Sequence, residues 1–377
     1  MLTSRGGVRT WIEIDTRALA RNYRVLRKLI GKKCRIMAVV KSNAYGHGLF
    51  DFARAVEKLG VDMLAVDSVI EAFALRKYGV KKPMLVLGFT LKEHFSKAAS
   101  QNISITVSNF EHLRALLKLK TMPHIHIKID TGMHRQGFLP EDVPAVIRFL
   151  KQKFPRVNVE GLYSHLAGAK NPKDTSGTKK QIAEFEKVRA LFFEAGFKPA
   201  CHLAATSGTI AYPKTHYDMV RIGIGLYGMW PSDALKKYYG KRIKFSPVLS
   251  WKTMVSEIKD LPRGSKIGYN GTTTLTRDSW VAVCPIGYWH GYPRTLSHKA
   301  EVSIHGKRVP VLGTVSMDMI VIDVTRVPHA RIGDAVTLIG REKNVEVTAD
   351  ELAELAGTVN YEIVTRLNPL IQKIYRP

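Results

Sequence analysis

Between residues 35 and 222 the chain alternates eight short apolar runs with longer stretches of helical period, and this alternation limits the fold more than any other feature. The runs occupy 35–41, 62–66, 84–88, 103–107, 124–130, 157–165, 200–204 and 219–222. Strands separated by amphipathic helices pair in parallel, and eight of them suggest a closed (β/α)8 barrel rather than an open doubly wound sheet. The helix before the first run is expected over 17–30. Leu19, Tyr23, Leu26 and Ile30 lie on one face, Arg17, Arg21, Arg24 and Lys28 on another, and Asp15 or Thr16 can cap it. Residues 180–194 behave likewise and end near Gly196, a suitable C-cap.

Beyond residue 243 the period changes to two. Leu249, Trp251, Thr253 and Val255 alternate with mostly polar neighbours, and 302–311 reads as a hairpin around Gly306. Further β-like runs follow at 280–285, 319–324 and 335–339. The expected fold class is α/β: an N-terminal TIM-type (β/α)8 barrel over 1–243 and a C-terminal, mainly β domain over 244–377.

Charge and cysteine usage narrow the functional class. Lys and Arg total 58 against 32 Asp and Glu, a net charge of +26 spread along the whole chain. No RGG, zinc-finger or RNP pattern accompanies it, so it reads as solubility and attraction for anionic small molecules rather than nucleic acid. No run approaches the roughly 18–20 apolar residues of a membrane span. Cys34, Cys201 and Cys284 are few, distant and without metal-binding spacing, so no metal is expected and a reducing compartment is. The opening residues carry no apolar secretory signal, and the cytoplasm is the expected location.

The segment Ala38-Val-Val-Lys41-Ser-Asn-Ala-Tyr45-Gly-His-Gly48 carries the first chemistry. An apolar strand delivers a lysine to its C-terminal end, which is the catalytic face of a barrel. A partly desolvated amine there can form an imine. Taken alone, such a lysine could equally snorkel from the strand end.

The whole string resembles the cofactor-lysine motif of the alanine racemase family. The likeness continues in order through Trp11-Ile-Glu-Ile-Asp15, Lys128-Ile-Asp-Thr-Gly-Met-His-Arg135, His165 and Arg221-Ile-Gly-Ile-Gly-Leu-Tyr-Gly228. It extends to Gly268-Tyr269, Gly287-Tyr288, Ser316-Met-Asp-Met319 and Asn360-Tyr361-Glu362. The resemblance implies a pyridoxal 5'-phosphate enzyme that interconverts L- and D-alanine by two-base proton transfer and supplies D-alanine for peptidoglycan. It implies a homodimer with shared sites.

By this resemblance Lys41 binds the cofactor and serves as one base. Tyr269, from the partner subunit, is the other. Tyr45, Thr206, Tyr361 and the backbone of Gly223 and Ile224 hold the phosphate. Arg221 meets the pyridine nitrogen, and since arginine keeps its proton, the ring is a weaker electron sink than one facing a carboxylate. His165 pairs with Tyr269, whose free pKa of about 10 must be lowered for basic duty. Arg135 and Met317 receive the substrate carboxylate, and Tyr288 and Tyr361 narrow the pocket. Lys128 matches a lysine often carbamylated in the family; plain lysine is the alternative.

Two other functions remain open: a racemase for serine or a larger amino acid, and a non-catalytic cofactor-binding barrel. The last would lack a β-domain, which counts against it. This chain also departs from the family, with His290 where Asp is usual and Thr314 where Arg is frequent. Either the two positions face each other and the charges were lost together, or the changes are independent.

Overall fold

The computed structural model describes residues 6–154 and 158–376. The chain forms two compact units. One holds Leu19–Ser42 and Leu49–Ser246; the other holds the residues up to Ala18, Asn43–Gly48 and everything from Pro247 onward.

The first unit contains eight parallel strands: β2 Arg35–Val39, β3 Met63–Val66, β4 Met84–Val86, β5 Ile103–Val107, β6 Ile125–Lys128, β7 Val159–Tyr163, β8 Ala200–His202 and β9 Met219–Ile222. β1, Trp11–Asp15, lies in the other unit. The pairing order is β8-β7-β6-β5-β4-β3-β2-β9. Its two ends meet through a parallel bridge between Ala205 and Arg221, so the sheet closes into the expected barrel. Strands covered on both faces need continuous apolar sequence, and β3, β4 and β5 are buried at every position. Each expected run contains its strand, generally shorter. The run 35–41 stops pairing at Val39, because the backbone turns left-handed from Ser42 and cannot extend the ladder. Val157, the first residue of the run 157–165, lies outside the described residues, as do Met1 to Arg5 of the opening stretch and the final Pro377.

The helices follow their sequence signals. Thr16–Ile30 is capped by Asp15, whose Oδ1 accepts the Ala18 N–H at 2.7 Å. Leu19, Leu26 and Ile30 are buried. Ser176–Glu194 ends as Gly196 takes φ +88° and Phe197 N–H reaches back to Phe192 O.

The second unit is built on a long mixed sheet. The strand Leu249–Met254 buries alternate residues as its period requires. His305 and Gly306 both have positive φ and turn the hairpin between Glu301–Ile304 and Lys307–Leu312. β1 belongs to this sheet, antiparallel to Leu249–Met254 and parallel to the C-terminal strand Gln372–Arg376. Two short helices, Ala349–Ala356 and Asn360–Thr365, complete the unit. Among the described residues, no helix is long and apolar enough to cross a membrane.

Candidate active site

The barrel strands deliver their polar side chains at their C-terminal ends, where the fold places catalysis. Lys41 stands two residues past β2, and its Nζ donates to Asp67 Oδ1 at 2.8 Å; Asp67 directly follows β3. Residues Lys41–Tyr45 wind as one left-handed turn, with φ of 56°, 55°, 51° and 50° from Ser42 to Tyr45. None of these four is glycine, so each carries the steric penalty of that hand. The Ser42 N–H is held by Glu71 Oε1 at 2.7 Å. Gly46 has no such freedom of identity: a Cβ there would lie 1.8 Å from Val364 O.

After β6 a second loop is organised around one carboxylate. Asp130 Oδ1 accepts the N–H groups of Gly132, Met133 and His134, and Oδ2 accepts that of Arg135 at 2.7 Å. Burial works to raise its pKa, yet these four bonds hold it below the ordinary carboxylate value. The loop thereby fixes the backbone of Arg135, whose side chain is exposed. Lys128, the last residue of β6, is buried and donates to Gln136 Oε1 at 3.0 Å. Burial, with Arg135 and Arg221 nearby, lowers its pKa to about 8.

Arg221 on β9 is buried without a carboxylate among its hydrogen-bond partners. It donates to the carbonyls of Ser164, His202 and Leu203, to His202 Nδ1 at 2.8 Å and to His165 Nδ1 at 3.3 Å. Burial lowers its pKa to about 10, leaving it charged at neutral pH. Burial and the charges of Arg221 and Arg135 lower His165 to about 3, so this imidazole is neutral. Because arginine only donates, His165 Nδ1 carries the lone pair and its proton sits on Nε2.

The residues expected to hold phosphate form two groups. Thr206 Oγ1 gathers the N–H groups of Gly223 at 3.2 Å and Gly225 at 3.4 Å, with Ile224 between them. A Cβ on Gly225 would press to 2.8 Å from Thr206 Cγ2. In the other unit Tyr45 and Tyr361 pack with ring centroids 6.1 Å apart. Burial raises the Tyr361 pKa, and its phenol stays a donor.

Also in that unit, Tyr269 follows Gly268 at φ +74° and is 71% exposed. The backbones carrying Tyr288 and Met317 lie together: Trp289 N–H bonds Met317 O at 3.0 Å, and a Cβ on Gly287 would meet Ser316 O at 2.2 Å. His290 and Thr314 have separate partners. His290 Nδ1 accepts the Gly287 N–H and lies 3.9 Å from Asp318, whereas Thr314 bonds Thr272. The paired loss of charge therefore has no direct contact to rest on.

The donor set suits pyridoxal phosphate. Lys41, Lys128, Arg135 and Arg221 gather at the ends of β2, β6 and β9, while Asp67 is engaged by Lys41 and Asp130 by four backbone donors. Such an excess of cationic and neutral donors matches a phosphate and a carboxylate. The sequence reading overlooked Asp67, Asp130, Gln136, His126, Glu160 and His202. For the two histidines a signal existed: His126 shares the two-residue period of Lys128, and His202 interrupts an apolar strand.

Family models agree with this architecture. Residues 14–231 match the alanine racemase N-terminal domain and residues 248–375 match the alanine racemase C-terminal domain. The second match removes the reading of a barrel that lacks a β-domain. The chain is 39% identical to the alanine racemase of Symbiobacterium thermophilum, over 97% of both chains. It is 37% identical to that of Methanococcus maripaludis, over 97% of this chain and 98% of the other. Among solved structures it resembles the alanine racemase of Bacillus anthracis with bound L-Ala-P. There the TM-score is 0.92 at 34% identity, covering 98% of this chain and 95% of the other.

Proposed function

The chain belongs to the alanine racemase family, and on that premise we propose how its own residues share out the interconversion of L- and D-alanine. It is a pyridoxal-phosphate-dependent racemase, and its product D-alanine serves peptidoglycan. Once bound, the cofactor accepts the electron pair left on the α-carbon when the proton departs. The observation that carries the assignment of roles is the crowd of cationic donors around neutral His165.

Lys41 would hold the cofactor covalently until the substrate amine displaces it, and its freed amine would exchange the α-proton on one face. Arg221 would donate to the pyridine nitrogen of the bound cofactor. Thr206, the backbone of Gly223 and Ile224, Tyr45 and Tyr361 hold the phosphate. Arg135 and the Met317 backbone receive the substrate carboxylate, and Tyr288 and Tyr361 limit the side chain to a methyl. On the opposite face the base is Tyr269 of a second copy, so the working unit is a homodimer. Its high exposure suits a side chain that serves another molecule. His165, with its proton on Nε2, can donate to that phenol oxygen and favour the phenolate. In this division residues 1–243 supply Lys41, Arg135, Arg221 and most of the phosphate donors, and residues 244–377 supply Tyr269, Tyr288, Met317 and Tyr361. The compact units cut the chain differently, since residues up to Ala18 and Asn43–Gly48 belong with the C-terminal unit.

Lys128 is the carbamylation site. A pKa of about 8 leaves an appreciable fraction of free amine at neutral pH, and carbon dioxide adds only to the free amine. The resulting anion would sit beside Arg135. Under 13C-bicarbonate a carbamate carbon resonance is expected that disappears in Lys128→Ala; a resonance that persists in this variant refutes the assignment. The three cysteines are free and buried, which supports a cytoplasmic setting.

The test of the two bases is α-deuterium exchange measured separately from each enantiomer. Tyr269→Ala should slow exchange from L-alanine by roughly 10²–10⁴-fold and affect D-alanine less. Equal loss from both enantiomers would contradict the assignment. Mixing Tyr269→Ala with Lys41→Ala chains should restore activity, since one hybrid site regains both bases.

A further inference from the structure

Behind Arg221 a line of polar groups, half-buried at its Glu160 end, runs through the barrel to the first half of β7. His202 Nδ1 accepts from Arg221 Nη1 at 2.8 Å. His202 Nε2 lies 2.8 Å from His126 Nδ1, and His126 Nε2 lies 3.1 Å from Glu160 Oε2. Both imidazoles are fully buried. Ser104 Oγ donates to the same Glu160 oxygen at 2.5 Å. We propose that Glu160 is a positioning residue for the racemisation site, fixing through His126 and His202 which ring nitrogens carry protons and so giving Arg221 a permanent acceptor.

The two ends of the line have fixed polarity. An ionised carboxylate only accepts and a guanidinium only donates. Burial works to raise the Glu160 pKa, but the bonds from His126 and Ser104 hold it at about 2, so it is ionised. Burial lowers both histidines, so each imidazole carries one proton. His126 must place its proton on Nε2 to meet Glu160, which leaves Nδ1 as acceptor. His202 then donates from Nε2 and offers Nδ1 to Arg221. In the reverse assignment an Nδ1–H of His202 would point at a donor, and two hydrogen bonds, the buried one to Arg221 and the half-buried one to Glu160, would be lost. Only one set of tautomers satisfies every group.

Three further features are built around this line. The β6–β7 register passes from Ile125↔Val159 to His126↔Gly161, so Glu160 is the extra residue of a β-bulge. Bulges redirect a side chain, and here the carboxylate reaches His126. Gly161 has no side chain where a Cβ would lie 2.1 Å from His126 Nδ1. Tyr163 stacks on His202, with centroids 4.6 Å apart and planes at 9°, and anchors its hydroxyl on Thr106 at 2.7 Å. Both the planes and the protons of the two rings are therefore set from outside the site.

The importance of Arg221 rests on the function proposed above, but the tautomers do not. The decisive measurement is 15N NMR of histidine-labelled holoenzyme, which distinguishes the two neutral tautomers. His126 and His202 should both be Nε2–H; an Nδ1–H form of either overturns the proposal without any variant. Glu160→Gln retains an accepting oxygen and should keep both tautomers and activity within threefold. Glu160→Leu removes it, so an Nδ1–H population should appear and kcat for alanine should fall at least tenfold with KM changed less than threefold. Unchanged tautomers in Glu160→Leu also overturn the proposal. If the tautomers shift as expected while kcat holds, the proton assignment stands and the role given to Arg221 fails instead.

Discussion

The turn after β2 and the loop after β6 both bring a cation to the catalytic face, yet they are held by opposite means. The first forces Ser42 to Tyr45 into left-handed φ values without a glycine among them. Its conformation is sterically costly and depends on neighbours such as Glu71, which fixes the Ser42 N–H. The second meets its turn with a glycine at Gly132, a glycine at Gly137 and four N–H groups collected by Asp130. Lys41, to which the proposed function gives the covalent chemistry, sits on the element with four consecutive left-handed residues. Arg135, proposed to bind the substrate carboxylate, sits on a loop where only His134, at φ 53°, takes a left-handed conformation without being glycine. The difference is one of degree: four consecutive residues bear the left-handed cost in the first element and one bears it in the second.

The largest expected effect tests that division directly. Lys41→Ala should abolish visible cofactor absorbance and reduce racemisation by roughly 10³-fold or more, in both directions alike. A variant that kept near-normal turnover would move the chemistry away from the strained turn.

Next comes the relaxed loop. Gly137 has φ +136°, and a Cβ there would sit 2.5 Å from the Asp130 N. Gly137→Ala should therefore destabilise the protein by roughly 3 kcal/mol, read from denaturant unfolding. A loss under about 1 kcal/mol would mean the loop has more freedom than its contacts indicate.

Asp130→Asn should act more narrowly. The amide loses one anionic acceptor and presents a donor to backbone N–H groups, so KM for alanine should rise roughly tenfold with kcat nearly unchanged. Because the folded-state pKa of Asp130 is depressed, its contribution is present above the ordinary carboxylate value and is lost as pH falls through the folded one. Unfolding midpoints between pH 7 and pH 3 should thus fall more steeply in the wild type than in Asp130→Asn. Parallel curves would remove Asp130 as the organiser of its loop.

The smallest effect is a gain. Ser42→Gly relieves one left-handed residue while retaining the N–H bond to Glu71, and should stabilise the chain by up to about 1 kcal/mol. A loss of similar size would show that the turn after β2 is not strained.

These two loops also mark what the sequence can reveal. The eight strands, the hairpin at Gly306 and the helix cap at Asp15 were legible because local period and turn chemistry determine them. Lys41 was legible as a lysine at the C-terminal end of a barrel strand, but its left-handed turn was not, since Ser42, Asn43 and Ala44 give no signal for positive φ. Asp130 stands in the family-like stretch from Lys128 to Arg135, yet its four backbone bonds come from the folded loop alone. Glu160 was hidden because one carboxylate on a strand reads as a solvated residue, and only the bulge brings it to His126. Trp11 to Asp15 carried family resemblance but no strand assignment, since the partners that make it β1 lie hundreds of residues later.

That last pairing has a consequence for the order in which the protein can assemble during synthesis. β1 leaves the ribosome first, but its neighbours Leu249–Met254 and Gln372–Arg376 emerge much later. At a typical rate of about 10 residues per second, the first strand waits roughly half a minute for the last. Throughout that interval Trp11, Ile12 and Ile14, all buried in the finished sheet, remain without their cover. The intervening residues can meanwhile close their barrel from contacts already made. The nascent chain thus exposes the apolar face of β1 while the barrel strands already have their partners, a state that favours aggregation over waiting.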